Sequence, residues 1–387
     1  MIKKAGLLTL VICLSLALVW PSFSRAQSEL TVVDSSAQVV FPMAISFGLT
    51  AESDVNITDV RLHYRVDRMS FAPVISEVLP DFQPAPEVTT SWSLEMVRIG
   101  GLPPGASVEY WWTVEDAKNN EVATVPAKVS FEDSRYNWQS LTEGLVNLYW
   151  YQGDETFARE LLAAVDQALE SLKEYTGAEL EGQIKLYIYA SAQDLQGSMI
   201  YPQEWTGGVA FSRYGIMAIG ISPDDLDWGK RTIAHELTHL VIHQVTLNPY
   251  SDLPVWLDEG LAMHSEGPLE SVFQDYLNGA IAQGSLISVR SLASPFSAYA
   301  GEAALSYAQS YSLVEFLITT YGQDKMFELL STFREGATYD GAFEKVYGFD
   351  MDGLDALWRE WLTPSDTSVL RLEPALVGVG GQKIWRG

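Results

Sequence analysis

The 387-residue sequence contains one cysteine, five histidines and few basic residues. Cys13 lies in an apolar run, residues 5–20, which follows two lysines and precedes the small residues around Ala26. This order is typical of a signal peptide over residues 1–26, cleaved after Ala26. An uncleaved anchor helix is the alternative, but the run is shorter than the roughly 20 apolar residues of a membrane span. We therefore expect a secreted or extracytoplasmic chain, at the cell surface or in the periplasm, without a stable membrane span. It would have no disulfides and no thiolate metal ligands.

Positive charge is also scarce: 24 Lys and Arg face 50 Asp and Glu, a formal net charge of −26. Such a surface repels phosphate groups, which argues against nucleic acid and anionic membranes as partners. The simpler interpretation is that the acidic surface keeps an exported protein soluble. With 47% hydrophobic residues the chain is not disordered, and its length suggests two or three domains.

Residues 27–133 have the pattern of short alternating strands separated by turns. The clearest expected strands are 59–67, 90–99 and 107–114, with turns at 100–105 and 118–120. This spacing predicts an all-β sandwich. The pattern resembles an immunoglobulin or fibronectin type III module, without the cysteine and tryptophan spacing of antibody domains.

After Ser134 the apolar residues recur with the period of a helix. We expect residues 134–363 to form a second, larger domain. Residues 154–175 predict an amphipathic helix, with Asp154 as its cap and Gly177 as its stop. Strands are expected at 184–189, 207–211 and 216–221, and after residue 229 nearly every segment is helical. This order indicates an α+β domain with a helical C-terminal part. The last segment, 364–387, has little periodicity and is expected to be a flexible tail.

The segment with the clearest chemistry is His235-Glu236-Leu237-Thr238-His239. In a helix the two histidines are about 40° apart around the axis and about 6 Å apart along it, so both rings can reach one ion. Glu236 is turned away by roughly 100°, which keeps it out of the ligand set but within reach of a metal-bound water. The spacing therefore predicts a metal site with its own general base.

A third ligand is available in Trp256-Leu257-Asp258-Glu259-Gly260-Leu261-Ala262. Asp258 and Glu259 are adjacent carboxylates that point about 100° apart on a helix, so only one of them can face the ion. The residues alone leave both open.

Together, the HELTH and WLDEGLA motifs resemble the gluzincin metallopeptidases, specifically the peptidase MA-like group, and more distantly the aminopeptidases. The resemblance covers roughly residues 140–363. It implies a zincin-type, thermolysin- or aminopeptidase-like domain with one Zn²⁺ per chain, bound by His235, His239 and Glu259. It also implies that Glu236 acts as general base and acid in hydrolysing a peptide or protein substrate. Where the thermolysin branch has an aspartate supporting the first histidine, this sequence has Met263.

Other candidates have weaker patterns. His243 is rotated roughly 80° from His235, so we interpret it as a packing or supporting residue. His264 is a candidate to bind substrate or to hydrogen-bond a ligand, but packing is the simpler interpretation. Tyr307 and Tyr311 are candidate donors to the developing oxyanion, and similarity to the aminopeptidases favours Tyr307. Residues 207–211 are a candidate edge strand for pairing with an extended substrate.

The leading interpretation is a secreted zinc metallopeptidase. No acidic anchor for a substrate amine is evident, which favours an endopeptidase over an aminopeptidase. The alternative is a cell-surface binding or adhesion protein with a structural or catalytically weak zinc site, but such a site has no need of Glu236. Hydrolysis of a non-peptide amide is a third interpretation.

Overall fold

The structure is a computed structural model that describes residues 30–202, 207–297 and 299–363. The expected signal peptide and C-terminal tail lie outside the described residues. The N-terminal part consists mainly of β-sheets and the C-terminal part is mainly helical, as expected for a multidomain chain. None of the helices in the described ranges has the length and apolar character that crossing a membrane requires.

The N-terminal part contains eight strands: β1 (Thr31–Val40), β2 (Ala44–Glu52), β3 (Ile57–Val66), β4 (Ser76–Val78), β5 (Glu87–Glu95), β6 (Ala106–Asp116), β7 (Glu121–Ala123) and β8 (Ala127–Phe131). They form two antiparallel sheets, one in the order β1-β2-β5 and the other in the order β4-β3-β6-β7. Strand β8 also pairs with β6, beyond the end of β7.

The two N-terminal sheets share one hydrophobic core. Every second residue of β6 is buried, as alternation along a half-buried strand predicts. Trp112 on this strand is fully buried, and the Tyr110 ring packs 5.0 Å from the ring of Phe47 on the other sheet. Burial of these aromatic side chains holds the sheets together.

The expected strand over residues 90–99 is too long at its C-terminal end. Strand β5 ends at Glu95, and Met96–Ile99 forms a short helix, α1, that ends at Gly100 with a φ of 82°. Met96 stays buried in the helical conformation, so its apolar character alone did not distinguish a strand from a helix.

Among its described residues, the C-terminal part contains five strands and ten further α-helices: β9 (Gln139–Glu143), β10 (Val146–Trp150), α2 (Glu155–Thr176), β11 (Ile184–Tyr189), α3 (Ala192–Gln196), β12 (Gly208–Phe211), β13 (Ile216–Gly220), α4 (Leu226–Thr246), α5 (Val255–Ser265), α6 (Ser271–Gln283), α7 (Val289–Leu292), α8 (Ala300–Tyr321), α9 (Gln323–Arg334), α10 (Tyr339–Tyr347) and α11 (Met351–Leu362). The sheet order is β12-β13-β11-β10-β9. Strands β10, β11 and β13 are parallel, and the two edge strands are antiparallel to their neighbours.

The expectation of helical structure directly after Ser134 is wrong, because β9 and β10 come first. Val146, Leu148 and Trp150 alternate into the core of the C-terminal part. A hairpin turn at Gly144, with a φ of 54°, interrupts the pattern. Five residues of alternation on either side of a turn give a weak periodic signal.

Helix α2 begins and ends within one residue of its expected bounds. Asp154 Oδ1 accepts a hydrogen bond of 3.0 Å from the Phe157 backbone N–H, and Gly177 ends the helix with a φ of 72°. Both ends are therefore set by local chemistry that is visible in the sequence.

The C-terminal sheet has two different faces. Leu186 and Ile188 of β11 pack in the core that the helices share, while Tyr187 and Tyr189 point to the opposite side. The Tyr187 hydroxyl donates to Glu132 at 3.0 Å, and the Tyr189 hydroxyl donates to the fully buried Asp133, also at 3.0 Å. The N-terminal part therefore meets this face of the sheet directly.

Helices α5 and α8 are in close contact at Gly260. A Cβ atom added there would lie 2.7 Å from Val314 Cγ2 and would also overlap the Ser310 carbonyl oxygen. Only a residue without a side chain allows this contact.

We expect Gly260→Ala to lower the free energy of unfolding by about 1–3 kcal/mol, because a helix backbone must move to admit the methyl group. Gly279→Ala on α6 is the matched control, since its Cβ would meet Gln283 Nε2 only at 4.0 Å. There alanine is expected to stabilise the helix by up to ~1 kcal/mol. Chemical denaturation followed by circular dichroism measures both, and equal stabilities would contradict the packing argument.

Candidate active site and metal centre

Helix α4 presents one face to the core and another to a cleft. Ile233, Leu237, Leu240 and Val241 are at most 1% exposed, which fixes the helix against its neighbours. His235 and His239 project one turn apart with their ring centroids 5.0 Å from each other. A rigid apolar face thus positions two polar rings.

Helix α5 brings Glu259 to both rings. Glu259 Oε2 lies 3.6 Å from His235 Nε2 and 3.7 Å from His239 Nε2. One ligand atom from each of the three residues lies within 4.8 Å of the other two. The side chains are 17%, 12% and 21% exposed, in the order His235, His239 and Glu259, so they are mostly buried but still reachable from solvent.

These residues fit a zinc ion. Glu259 Oε2 is buried without a hydrogen-bond partner, which is costly for a carboxylate unless a cation satisfies it. Tetrahedral zinc with ligands at about 2.1 Å requires neighbouring ligand atoms roughly 3.4 Å apart, close to the observed separations. Two imidazoles and one carboxylate also form a donor set typical of catalytic zinc, with a fourth position open.

The electrostatics of the site also favour a cation. Burial opposes the charge of His235, but Glu259, Glu266 and Glu236 outweigh it and raise its pKa to about 10. For His239 burial is outweighed mainly by Asp258, and the pKa rises to about 9. Both rings therefore lie in a strongly negative potential, which a divalent cation would neutralise.

Glu236 faces the edge strand β12. Its side chain lies so close to Gly208 that an added Cβ would be 2.8 Å from Glu236 Oε1. Burial raises the pKa of the carboxyl above its usual range, while the two imidazoles act in the opposite direction. The structure therefore holds a carboxyl of raised pKa beside the three candidate ligands.

A carboxylate that the sequence analysis missed supports the first histidine. Glu266 Oε1 is 2.8 Å from His235 Nδ1, and its Oε2 is 3.3 Å from Arg231 Nη2. Arg231 in turn pairs with Glu270. Two spacings could have indicated this: Glu266 follows Glu259 by two helical turns, and Arg231 precedes His235 by one turn.

Asp258 lies on the other side of the His239 ring, away from Glu259. Its Oδ1 is 3.0 Å from His239 Nδ1, and its Oδ2 is 3.0 Å from His243 Nε2. Burial opposes its charge, but the two histidines hold its pKa well below the usual range. The geometry therefore gives Glu259, and not Asp258, the position facing both Nε2 atoms.

His264 is not brought to the ligand cluster. Its Nε2 lies 2.9 Å from Glu315 Oε2, and its ring stacks on Tyr311 at 5.6 Å. Burial lowers its pKa, against the effect of Glu315. His264 and Tyr311 thus form a contact of their own between α5 and α8.

A cleft of about 410 Å³ borders the ligand cluster at His235 and Glu236. The residues that line it come from β12, α4, α5, α6 and α8 and from the segments next to them: Gly207, Gly208, Trp228, Arg231, Thr232, His235, Glu236, Met263, Glu266, Glu270, Phe273 and Tyr307. Burial, with smaller contributions from Glu259, Glu236 and Glu266, raises the pKa of Tyr307. Its hydroxyl therefore stays protonated near neutral pH and can donate a hydrogen bond.

Residues 164–364, just over half of the chain, match the family model described as Peptidase MA superfamily. The site and this match together define a metallopeptidase-type hydrolase. The chain belongs to the Peptidase MA superfamily. No curated protein matches the chain in a sequence comparison.

Three of the solved structures that the chain resembles match between 26% and 29% of it. A catalytically inactive OgpA from Akkermansia muciniphila, in complex with an O-glycopeptide, has 12% identity and a TM-score of 0.21. The match covers 29% of this chain and 32% of OgpA, so the chain spans about a third of that protein. A family 56 carbohydrate-binding module that binds β-1,3-glucan is 20% identical over 26% of this chain and 98% of its own, with a TM-score of 0.17. A Niemann-Pick type C2 protein from the Japanese carpenter ant is 13% identical over 27% of this chain and 95% of its own, with a TM-score of 0.20.

The purified protein should contain close to one zinc per chain, and His235→Ala, His239→Ala or Glu259→Ala should each lose most of it. Each change removes one of three protein ligands. Elemental analysis after dialysis measures the metal, and His63→Ala in the N-terminal part is the control that should keep it. Full zinc in Glu259→Ala would assign the third ligand to another carboxylate.

Proposed function

We propose that the protein is a secreted, zinc-dependent metallopeptidase in which His235, His239 and Glu259 bind one zinc ion. The observation that carries the proposal is the convergence of two Nε2 atoms on the unpartnered Glu259 Oε2. Glu236 lies beside this cluster in a cleft open to solvent. A zinc ion held by these residues supplies Lewis-acid chemistry, polarising a carbonyl and lowering the pKa of a water to about 7.

Glu236 acts as general base and then as general acid. It takes a proton from the attacking water while the water oxygen bonds to the scissile carbonyl carbon. The carbon–nitrogen bond then breaks, and Glu236 delivers the proton to the leaving amine. Its burial beside the cluster suits this double role, because a carboxyl with little access to bulk water exchanges its proton with the reacting groups.

Tyr307 donates a hydrogen bond to the carbonyl oxygen as negative charge develops there. Its position in the lining of the same cleft as Glu236 supports this role. Its ring packs edge-on against Phe296 at 5.2 Å, which limits its motion. A donor held in place before the reaction is effective because it does not have to reorganise.

The substrate is a peptide or protein bound in an extended conformation along β12. This strand is at the edge of the sheet and pairs with β13 alone among the described strands. Gly207 and Gly208 bring its start into the cleft. Backbone pairing at this edge would give affinity with little dependence on side chains.

The carboxylates of the cleft favour an endopeptidase. An aminopeptidase needs a free acidic group for the substrate amine, but Glu266 contacts His235 and Arg231. Glu270 pairs with Arg231 as well. Among the described residues that line the cleft, Glu236 is then the only carboxylate that forms no ion pair with an arginine or a histidine. Because Glu236 is assigned to catalysis, no carboxylate of the cleft remains to bind a substrate amine.

The proposal extends to the rest of the chain. Residues 1–26 direct export, and residues 27–133 are an immunoglobulin- or fibronectin-like sandwich. Residues 134–363 form the zincin-type domain. The strand orders β1-β2-β5 and β4-β3-β6, around one core, support the sandwich.

Glu236→Gln should retain zinc while turnover of a labelled, denatured protein mixture falls by about 10²–10⁴-fold. The amide keeps the shape of the carboxylate but cannot take the proton. Glu160→Gln, an exposed acid on α2 that pairs with Lys230, is the control and should behave as wild type. Unchanged hydrolysis by zinc-loaded Glu236→Gln would refute the mechanism. Tight zinc binding without any hydrolysis by the wild type would favour a binding protein.

Tyr307→Phe should lower kcat by about 10²-fold with little change in KM, because the lost donor acts on the transition state. Tyr311→Phe is the matched control, since Tyr311 stacks on His264 and is not part of the cleft lining. Steady-state kinetics on one peptide compare the two variants. Equal effects, or an effect of Tyr311→Phe alone, would remove Tyr307 from the mechanism.

A further inference from the structure

We infer that Asp258 positions His239 for the metal and that His243 holds Asp258 in place for this task. The inference rests on the proposed zinc site and deepens it. Asp258 and His243 would then be positioning residues, because neither faces the three converging ligand atoms. They form one line of contacts, from His243 through Asp258 to His239 and Glu259.

The two neighbouring acids of α5 contact opposite sides of one imidazole. Glu259 Oε2 approaches Nε2 of His239 at 3.7 Å, while Asp258 Oδ1 lies 3.0 Å from Nδ1 of the same ring. A carboxylate beside Nδ1 keeps the proton on that nitrogen. The lone pair is then left on Nε2, the nitrogen that faces Glu259, and the ring is held in the tautomer that a metal requires.

The two neighbouring histidines balance the negative charge of Asp258. Asp258 Oδ1 is buried and has no hydrogen bond of ordinary geometry. His239 Nδ1, 3.0 Å away, is therefore the group that offsets its negative charge. Its Oδ2 accepts from His243 Nε2 at 3.0 Å. A mostly buried carboxylate with one oxygen fixed in this way has little freedom to rotate.

His243 is the outer end of the line. It follows His239 by one turn of α4, and its side chain is 28% exposed. It opens on a small crevice that is also lined by Met69 and Arg213. Because His243 lies near the surface, its replacement should be tolerated by the fold better than replacement of a core residue.

The test measures zinc affinity and not activity. Asp258→Ala, Asp258→Asn, His243→Ala and the Asp258→Ala/His243→Ala double variant are compared with wild type by competition with a chromogenic chelator. Asp258→Ala should weaken zinc binding by about 10- to 100-fold, the usual effect of removing the carboxylate behind a ligating histidine. Asp258→Asn should bind more tightly than Asp258→Ala, because its amide oxygen can still accept from Nδ1–H.

His243→Ala should weaken zinc binding less than Asp258→Ala does, and it should add nothing in the Asp258→Ala background. Such non-additivity is expected when one residue acts through another. His264→Ala is the control, because His264 pairs with Glu315 and not with a ligand, and its zinc affinity should equal that of wild type. The Co²⁺-substituted proteins provide a second readout, since the visible absorption reports the geometry of the ligands.

Three results would overturn the inference while leaving the zinc site intact. Asp258→Ala could bind zinc as tightly as wild type, it could lose zinc as completely as Glu259→Ala, or the effects of Asp258 and His243 could be additive. Thermal unfolding of the zinc-free proteins shows whether each variant is folded, and His243→Ala gives an independent test if Asp258→Ala is not. A wild type that binds no zinc would overturn the proposed function itself.

Discussion

Buried negative charge is the constraint on which the rest of the site depends. Glu236, Asp258, Glu259 and Glu266 lie around two imidazole rings in the interior of the C-terminal part. Carboxylates in such surroundings cost several kcal/mol each unless positive charge lies beside them. Without the ion, the two protonated histidines and Arg231 supply it. With the proposed ion bound, the ion takes the place of the ring protons on the two Nε2 atoms. The site is thus a balanced set of charges in which each group limits the positions of the others.

The apolar framework maintains that balance. Helix α4 is fixed by its buried aliphatic face, and α5 is fixed by Trp256 and Leu257, which are fully buried. The contact at Gly260 then brings α5 close to α8, next in sequence to Glu259. Ligand atoms held on packed helices keep their separations better than atoms on loops. The sequence Glu259-Gly260 therefore places the candidate ligand directly beside the helix contact that positions it.

Sequence reasoning succeeded where the chemistry is local. The bounds of α2 follow from Asp154 and Gly177, and the spacing of His235 and His239 on one helix follows from the period of 3.6 residues. The choice of Glu259 over Asp258 needed the family resemblance, because residue spacing alone does not orient α5 relative to α4. Glu266 was missed for the same reason: it reaches His235 only through packing of two helices. Strands β9 and β10 were missed because a short hairpin has little periodicity.

The contact of the N-terminal part with the second face of the C-terminal sheet has a consequence for how the two parts relate. Tyr187 and Tyr189 are almost completely buried, and their hydroxyls end on Glu132 and Asp133. A module that is joined only by a linker makes few contacts with its neighbour. Here Glu132 accepts a hydrogen bond from the Tyr187 hydroxyl, and a Cβ atom added at Gly105 would overlap the same hydroxyl. The two parts are therefore expected to be inherited together, as one structural unit and not as interchangeable modules.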